Sequence, residues 1–178
     1  EWVYARDLQE GDSIAVSNEL PAFGNPSLGC DKAAILGYLI GDGGITYSVT
    51  FTTTSEEQLA DFTRCIRNEF GKYHVKQKGL DPSGISYEVV KDSLRKSQDG
   101  SQQNLVKEWL SEIGLMGQNS HTKRVPSCIM TASRQEVAVF ISRLFACDGH
   151  ANTETNTYHG HSNPKSHIGY CSVSRELC

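Results

Sequence analysis

ILGYLIGDGG, residues 35–44, is an apolar run that ends in Asp-Gly, and ISRLFACDGH, residues 141–150, repeats the pattern. Each run predicts a helix, with Asp42 and Asp148 at the two helix ends. A carboxylate at a helix C-terminus faces the negative end of the helix dipole, which costs up to about 1 kcal/mol. Both carboxylates therefore need compensation, and a shared divalent cation is the natural candidate.

The length and composition favour one globular domain, or one domain with part of a neighbour. The chain has 178 residues, of which 38% are hydrophobic, enough for a single core. It contains no run of about 20 apolar residues and no signal peptide. Its six cysteines are scattered without a C-x-x-C pair, so we expect reduced thiols in a cytoplasmic protein, with a zinc site as the alternative.

The net charge of −4 does not exclude a nucleic-acid partner. Residues 1–20 hold five acidic side chains and one basic side chain, which accounts for the whole excess. The other 158 residues hold 16 acidic and 16 basic side chains. A neutral body binds DNA when its basic residues gather on one face.

Each Asp-Gly helix is followed by the same predicted order, a strand and then a helix capped by serine. Residues 45–54 alternate polar and apolar side chains, as a half-buried strand does, and Ser55 with Gln58 predicts the start of a helix to about residue 70. Residues 151–167 are predicted as a mobile loop, after which a strand and a helix capped at Ser174 repeat the order. Asp31 is the predicted N-cap of the first helix, and Ser133 with Glu136, in the spacing of a capping box, predicts the start of the helix that ends at Asp148. The order predicts a two-fold internal repeat, with its second copy cut short.

The two motifs resemble those of the LAGLIDADG homing endonucleases, specifically the double-motif kind embedded in inteins. Motif one is ILGYLIGDG, residues 35–43, and motif two is ISRLFACDG, residues 141–149. In the family, small residues four apart let the two motif helices cross closely. Gly37, Gly41 and Cys147 match that helix interface, whereas Arg143 departs from it and predicts asymmetric packing.

The flanking sequence resembles that of inteins in replicative DNA helicases, which implies such a host protein. The resemblance rests on TKRVPSCI at residues 122–129 and on a set within residues 1–20: Trp2, Leu8, Gly11-Asp12 and Ile14-Ala15-Val16. Residues 1–29 are then the end of an intein splicing segment plus a linker. Residues 30–178 are the endonuclease domain, with a first half of about residues 30–125 and a partial second half of about residues 126–178.

The resemblance implies an α+β fold of two pseudo-symmetric αββαββα halves in one pseudo-dimeric monomer, whose sheets form a saddle on double-stranded DNA. The implied catalytic carboxylates are Asp42 and Asp148, which would also hold Mg²⁺ or Mn²⁺ for phosphodiester hydrolysis. Lys123 lies where the family often places an active-site lysine. The adjacent Arg124 is an alternative cation, and an ordinary loop lysine is another interpretation of Lys123.

Two polar strand faces are the candidate DNA contacts. Residues 72–78 alternate so that basic side chains share one face, a pattern suited to the phosphate backbone. The family places the polar face of residues 45–54 in the major groove, where it would contact base edges. A solvated edge strand and a plain exposed sheet face are the structural alternatives. The candidate contact residues are Thr46, Ser48, Thr50, Thr52, Lys72, His74, Lys76 and Lys78.

The sequence therefore predicts a site-specific, metal-dependent DNA endonuclease, with three alternatives. The first is a DNA-binding module of the same fold that has lost cleavage. The second is a remnant of a splicing element; splicing needs a nucleophilic Cys or Ser at the first residue and a terminal His-Asn, so we expect Glu1 and Cys178 to bound an internal fragment. The third is a metal-binding protein built on a histidine-rich segment. That segment holds His150, His159, His161 and His167, with Cys147 and Cys171 nearby in sequence.

Overall fold

The computed structural model has the predicted mixed architecture of helices and small antiparallel sheets, which confirms the α+β class. It describes residues 7, 9, 11, 23–25, 28–79, 82–92, 104–158 and 161–177. The helices are α1 (Cys30–Gly41), α2 (Glu56–Phe70), α3 (Leu105–Glu112), α4 (Ser127–Met130) and α5 (Arg134–Asp148). The strands are β1 (Gly43–Gly44), β2 (Thr50–Thr52), β3 (Tyr73–Gln77), β4 (Ser86–Lys91), β5 (Gly149–Tyr158) and β6 (His161–Tyr170). Within the described ranges, no helix combines the length and the apolar character needed to cross a bilayer.

The two predicted motif helices, α1 and α5, pack against each other at the centre of the core. Their close approach depends on glycine, because a Cβ at Gly37 would lie 2.6 Å from the Phe140 carbonyl oxygen and one at Gly41 would lie 2.5 Å from Cys147 Cβ. Real Cβ atoms essentially never come so close. The small residues predicted at this interface therefore lie where the two helices touch.

The elements from α1 to α3 follow the order helix, strand, strand, helix, strand, strand, helix. Their sheet has the antiparallel order β1-β2-β4-β3, in which the consecutive strands β3 and β4 are paired. Phe51, Phe62 and Tyr73 are fully buried between this sheet and the helices. The order agrees with the αββαββα order expected for the first half.

The prediction of one strand over residues 45–54 is wrong. Gly43 and Gly44 form β1, which turns back and pairs with Thr50 and Phe51 of β2, so Thr46 and Ser48 lie in the connecting loop. The loop is fixed by two hydrogen bonds, since Gly117 N–H donates to the Ile45 carbonyl (2.8 Å) and Thr46 Oγ1 donates to the Gln118 carbonyl (3.1 Å). Glycine permits the sharp return here because a Cβ at Gly43 would lie 2.5 Å from Leu39 Cα.

The start of α1 also differs from the prediction. Gly29, at φ 89°, is the N-cap, and Asp31 lies in the first turn, where its carboxylate accepts hydrogen bonds from Arg64 and Asn68. The N–H groups of Leu28 and Gly29 donate to Glu136 Oε1 of α5, at 3.0 and 2.6 Å. Asp31 therefore does not cap α1, and a carboxylate from another helix binds the N–H groups that directly precede it.

The predicted capping box at the start of α5 is confirmed. Ser133 Oγ accepts from the Glu136 N–H (3.3 Å), and Glu136 Oε2 accepts from the Ser133 N–H (2.8 Å). After α5, however, the predicted loop of residues 151–167 is wrong, because the chain continues directly into the paired strands β5 and β6. Backbone pairing satisfies the polar main-chain groups of this segment without needing apolar side chains.

The predicted helix after Ser174 is present only as a turn at residues 175–177. The Leu177 N–H donates to the Ser174 carbonyl (3.2 Å), and the Ser174 side chain points elsewhere. The predicted splicing segment and linker, residues 1–29, fall largely outside the described residues.

Candidate active site at the paired helix ends

The two aspartates occupy matching positions at the ends of the crossing helices. Asp42 is the C-cap of α1, and Asp148 is the last residue of α5. The Asp42 carbonyl accepts from the Thr52 N–H (3.1 Å), and the Asp148 carbonyl accepts from the Cys171 N–H (3.5 Å). In each half, a residue at the end of the second hairpin strand thus donates to the carbonyl of the motif aspartate.

A second pair of matching bonds is found after the two hairpins, in the positions that the predicted internal repeat would make equivalent. The Ser55 N–H donates to Thr53 Oγ1 (3.0 Å), and the Ser174 N–H donates to Ser172 Oγ (3.1 Å). Both turns directly follow a hairpin that starts at an Asp-Gly helix end. The second hairpin is longer, with ten residues in each strand, so the halves share local geometry and differ in size.

The carboxylate of Asp42 lies in an unfavourable electrostatic environment. Asp42 is half-buried and Asp148 is exposed. Burial, and then the negative charge of Asp148, raise the pKa of Asp42 above its ordinary value. The Cys147 thiol donates a hydrogen bond to this carboxylate, and burial raises the pKa of the thiol to about 12. The pair of carboxylates therefore attracts a cation, and the thiol between the helices stays protonated.

Lys123 supplies a cation at the end of α1. Its side chain is buried, with 5% exposed, and Nζ donates to the carbonyls of Ile40 (3.0 Å), Gly41 (3.0 Å) and Gly43 (2.7 Å). An ammonium has three donors, and all three are used here. Burial lowers the pKa of Lys123, while the charges of Asp42 and Asp148 oppose that shift.

Lys123 is thus the C-terminal cap of α1. Its predicted role as a cation at the reacting phosphate would require it to release one of these bonds. The neighbouring Arg124 is exposed. The backbone of Lys123 is itself held from the second half, because Ser174 Oγ donates to its carbonyl at 2.6 Å and both residues are buried.

Arg143 is accommodated at the helix interface because its side chain extends away from α1 and toward α2. Nε donates to Asp61 Oδ2 on α2 (3.0 Å), which also accepts from the Tyr38 hydroxyl (3.0 Å). Although burial opposes the shift, hydrogen bonds from Arg64, Arg143 and Tyr38 lower the pKa of Asp61. The departure of Arg143 from the small-residue pattern thus creates an ion pair between α2 and α5, in agreement with the asymmetry predicted.

The donor chemistry of the site fits a magnesium-type ion. Two carboxylates from Asp42 and Asp148 suit Mg²⁺, which keeps several waters and needs few protein ligands. A recess of about 330 Å³ lies beside Asp148, and Gly41 and Lys123 are also among its lining residues. In the described part of the chain, no three His, Cys, Asp or Glu side chains converge. His159 and the side chain of His161, which belong to the alternative histidine site, lie outside the described residues.

The predicted DNA-contacting residues of β2 and β3 share the outer face of the four-stranded sheet. Thr50 and Lys76 are both paired with Glu88 of β4, and Thr52 is paired with Ser86. Buried residues such as Phe51 and Val89 point to the opposite face. The outer face is polar, and Glu88 adds one acid at its centre.

The remaining predicted contacts lie at the margins of this face. Lys72 and Lys78 are exposed and flank β3. His74, on the same face as Lys76, contacts the Asp92 carboxylate through Nδ1, so its ring is oriented by an acid. Thr46 and Ser48 belong to the loop between β1 and β2, and Thr46 is bonded within the protein.

Sequence reasoning missed Gln58 and Glu136 as residues that hold the motif helices. Gln58 Nε2 donates to the Ala146 carbonyl near the end of α5 (2.8 Å), and Glu136 joins the starts of α1 and α5. Both belong to serine capping patterns that were recognised from sequence. The patterns gave no sign that either side chain reaches the other half.

The chain is similar to part of two replicative DNA helicases. It is 29% identical over 150 residues to the replicative DNA helicase DnaB of Rhodothermus marinus, which covers 83% of this chain and 16% of the relative. It is 22% identical over 150 residues to the replicative DNA helicase DnaB of Nostoc sp. (strain PCC 7120), covering 83% of this chain and 17% of the relative. The chain thus spans about one sixth of these relatives, and no family model matches it. The predicted link to replicative helicase proteins is supported at this level.

Proposed function

We propose that this chain is a site-specific DNA endonuclease with the LAGLIDADG fold, part of an intein carried by a replicative DNA helicase. It cuts both DNA strands with Mg²⁺ or Mn²⁺. One observation carries the proposal: Asp42 and Asp148 end two closely packed helices and are held by matching backbone bonds from Thr52 and Cys171. Two equivalent carboxylates suit the two antiparallel strands of a duplex.

The chemistry follows from what each residue can do. When bound, the divalent ion supplies an activated water and neutralises charge on the phosphate. Asp42 and Asp148 would hold the ion, and each carboxylate would serve one strand of the duplex. Lys123 keeps the α1 end in place through its three carbonyl contacts. The polar outer face, with Thr50, Thr52 and Lys76, lies against the duplex.

The similarity to helicase proteins supports the host assignment. The matched region is about one sixth of each relative, which suits an inserted segment within a larger protein. The exposed basic residues on the outer face and at its margins, Lys76 with Lys72 and Lys78, support contact with a phosphate backbone.

Cleavage of a defined duplex tests the proposal. The substrate is a duplex carrying the uninterrupted insertion site of the host helicase gene, with Mg²⁺ present. We expect Asp42→Asn and Asp148→Asn to abolish double-strand cleavage while binding to the same duplex persists. Asp31→Asn is the matched control, because Asp31 lies at the other end of α1 and bonds Arg64. Unchanged cleavage by both asparagine variants would overturn the assignment.

A DNA-binding module without cleavage is the second candidate. Asp148 is exposed, and a neutral glutamine rather than a cation contacts the end of its helix. This candidate predicts specific, salt-sensitive binding to the same duplex with no metal-dependent product. A time course with Mn²⁺ and with a chelator separates the two functions.

A further inference from the structure

The end of α5 is held by a residue from the first half of the chain. A helix leaves its last carbonyls without partners inside the helix, so other groups must satisfy them. In α5, Gly149 N–H donates to the Phe145 carbonyl, and Gln58 Nε2 of α2 donates to the Ala146 carbonyl at 2.8 Å. Ala146 is two residues before Asp148, so this bond acts on the turn that carries the carboxylate.

Gln58 is oriented for this contact by its own surroundings. Its backbone N–H donates to Ser55 Oγ (3.3 Å), and its Oε1 accepts from Thr53 Oγ1 (2.7 Å). Because the amide oxygen is used by Thr53, the NH₂ group faces α5. The amide is therefore fixed at both ends before it meets the Ala146 carbonyl.

The internal repeat places the second-half counterpart of Gln58 at the other motif helix. Gln58 is three residues after Ser55, and Leu177 is three residues after Ser174, the two serines of the matching turns. Leu177 lines the recess together with Ile40 and Gly41, at the end of α1. Leucine has no donor for a carbonyl, and at that end Lys123 donates instead.

We propose that Gln58 is a positioning residue for Asp148. It supports the end of α5 as Lys123 supports the end of α1. This inference rests on the proposed function. In this inference, a side chain from outside each motif helix fixes the position of the aspartate at the end of that helix. Gln58 touches neither substrate nor metal in this role, and it acts through the Ala146 carbonyl.

The first test measures the helix end without DNA or metal. Hydrogen exchange of the 178-residue chain compares the wild type with Gln58→Leu, which installs the residue found at position 177, and Gln58→Glu, which keeps an acceptor for Thr53 and removes the donor. We expect exchange at residues 145–149 to rise about fivefold, the scale of one neutral hydrogen bond, with residues 38–43 unchanged. Gln77→Leu is the matched control. Gln77 Nε2 also donates to a backbone carbonyl over 2.8 Å, that of Gly84, and this contact does not involve either helix end.

The second test measures each strand of a doubly labelled duplex. If Gln58 positions Asp148, Gln58→Leu slows cleavage of one strand about fivefold more than the other at unchanged KM. Gln77→Leu leaves the strand ratio as in the wild type. A general loss of folding would slow both strands together, so the ratio reports positioning.

The outcomes separate this inference from the proposed function. Unchanged exchange at residues 145–149 in Gln58→Leu overturns the inference, and so does changed exchange with an unchanged strand ratio. If the wild-type chain cuts neither strand, the proposed function is overturned, and the positioning role with it. Hydrogen exchange would still report the contact between Gln58 and α5. Local exchange together with a strand bias supports the inference.

Discussion

The ends of α1 and α5 are alike in backbone geometry and unlike in support. At α1, a buried ammonium from Lys123 binds three carbonyls. At α5, Gln58 offers one neutral donor to one carbonyl. A cation near a helix C-terminus also offsets the dipole, which a neutral amide does only weakly. The two halves therefore repeat the position of the aspartate but not the means of holding it.

The N-terminal ends of the same helices show the opposite arrangement. There a single carboxylate, Glu136, is shared by both helix starts, accepting from Leu28, Gly29 and Ser133. At the C-terminal ends there are two carboxylates, and burial, followed by the negative charge of Asp148, raises the pKa of Asp42. The helix dipole stabilises an acid at the N-terminal ends and destabilises one at the C-terminal ends. Asp42 and Asp148, at the C-terminal ends, are therefore the acids that need a cation.

Removing the cation should have the largest effect on this comparison. In Lys123→Met, three carbonyls at the buried end of α1 lose their donor, and we expect the free energy of unfolding to fall by about 3 kcal/mol. Urea denaturation measures the change. Lys107→Met is the control, because Lys107 Nζ also donates to a backbone carbonyl, that of Tyr47 (2.8 Å), at an exposed site. Equal losses in the two variants would contradict the buried-cap role of Lys123.

Adding a side chain where α1 and α5 cross should have the second-largest effect. Gly41→Ala places a methyl group 2.5 Å from Cys147 Cβ, and overpacking of this kind costs about 1–3 kcal/mol. The exchange variant Gly41→Ala with Cys147→Gly moves the small residue to the other helix and should recover most of the loss. Thermal unfolding measures both. Gly79→Ala, with open space around its Cβ position, should have little effect; an exchange variant no better than Gly41→Ala would argue against direct contact at this point.

The shared acid at the helix starts predicts a pH dependence. Hydrogen bonds from the Ser133 and Gly29 N–H groups lower the pKa of Glu136 from 4.5 to about 2. The stability that ionised Glu136 provides is therefore complete above about pH 4.5 and is lost as the pH falls toward about 2. Glu136→Gln should cost about 2 kcal/mol at pH 7, and the gap to the wild type should shrink through that acidic range. A gap that is constant from pH 7 to pH 3 would show that the charge is unimportant.

What the sequence predicts correctly in this molecule is local. The Ser133–Glu136 capping box and the Ser55 cap need only residues three positions apart, and both are present. The Asp-Gly ends and the small residues at 37, 41 and 147 follow from short motifs. The two caps are complete within one turn of the chain, whereas the contact between the small residues joins two distant helices and was expected from the family resemblance.

What the sequence did not predict depends on distant partners. Lys123 caps α1 by donating to the Ile40 carbonyl, 83 residues earlier in the chain. The contact of Gln58 with Ala146 spans 88 residues. In sequence, Lys123 belongs to a polar loop, so its burial is visible only in the fold. The hairpin of residues 149–170 was missed because its stability comes from backbone pairing, which polar composition does not reveal.

The smallest expected effect concerns the asymmetric ion pair at the helix crossing. Arg143 occupies the place in motif two that Gly37 occupies in motif one, and it donates to Asp61 of α2 (3.0 Å). A double-mutant cycle with Asp61→Asn and Arg143→Met should give a coupling energy of about 1 kcal/mol, since Arg143 is partly exposed and the pair is screened by solvent. The coupling should fall as salt is raised. A coupling near zero would mean that Arg143 is merely tolerated at the crossing, and the asymmetry between the halves would then rest on the helix ends alone.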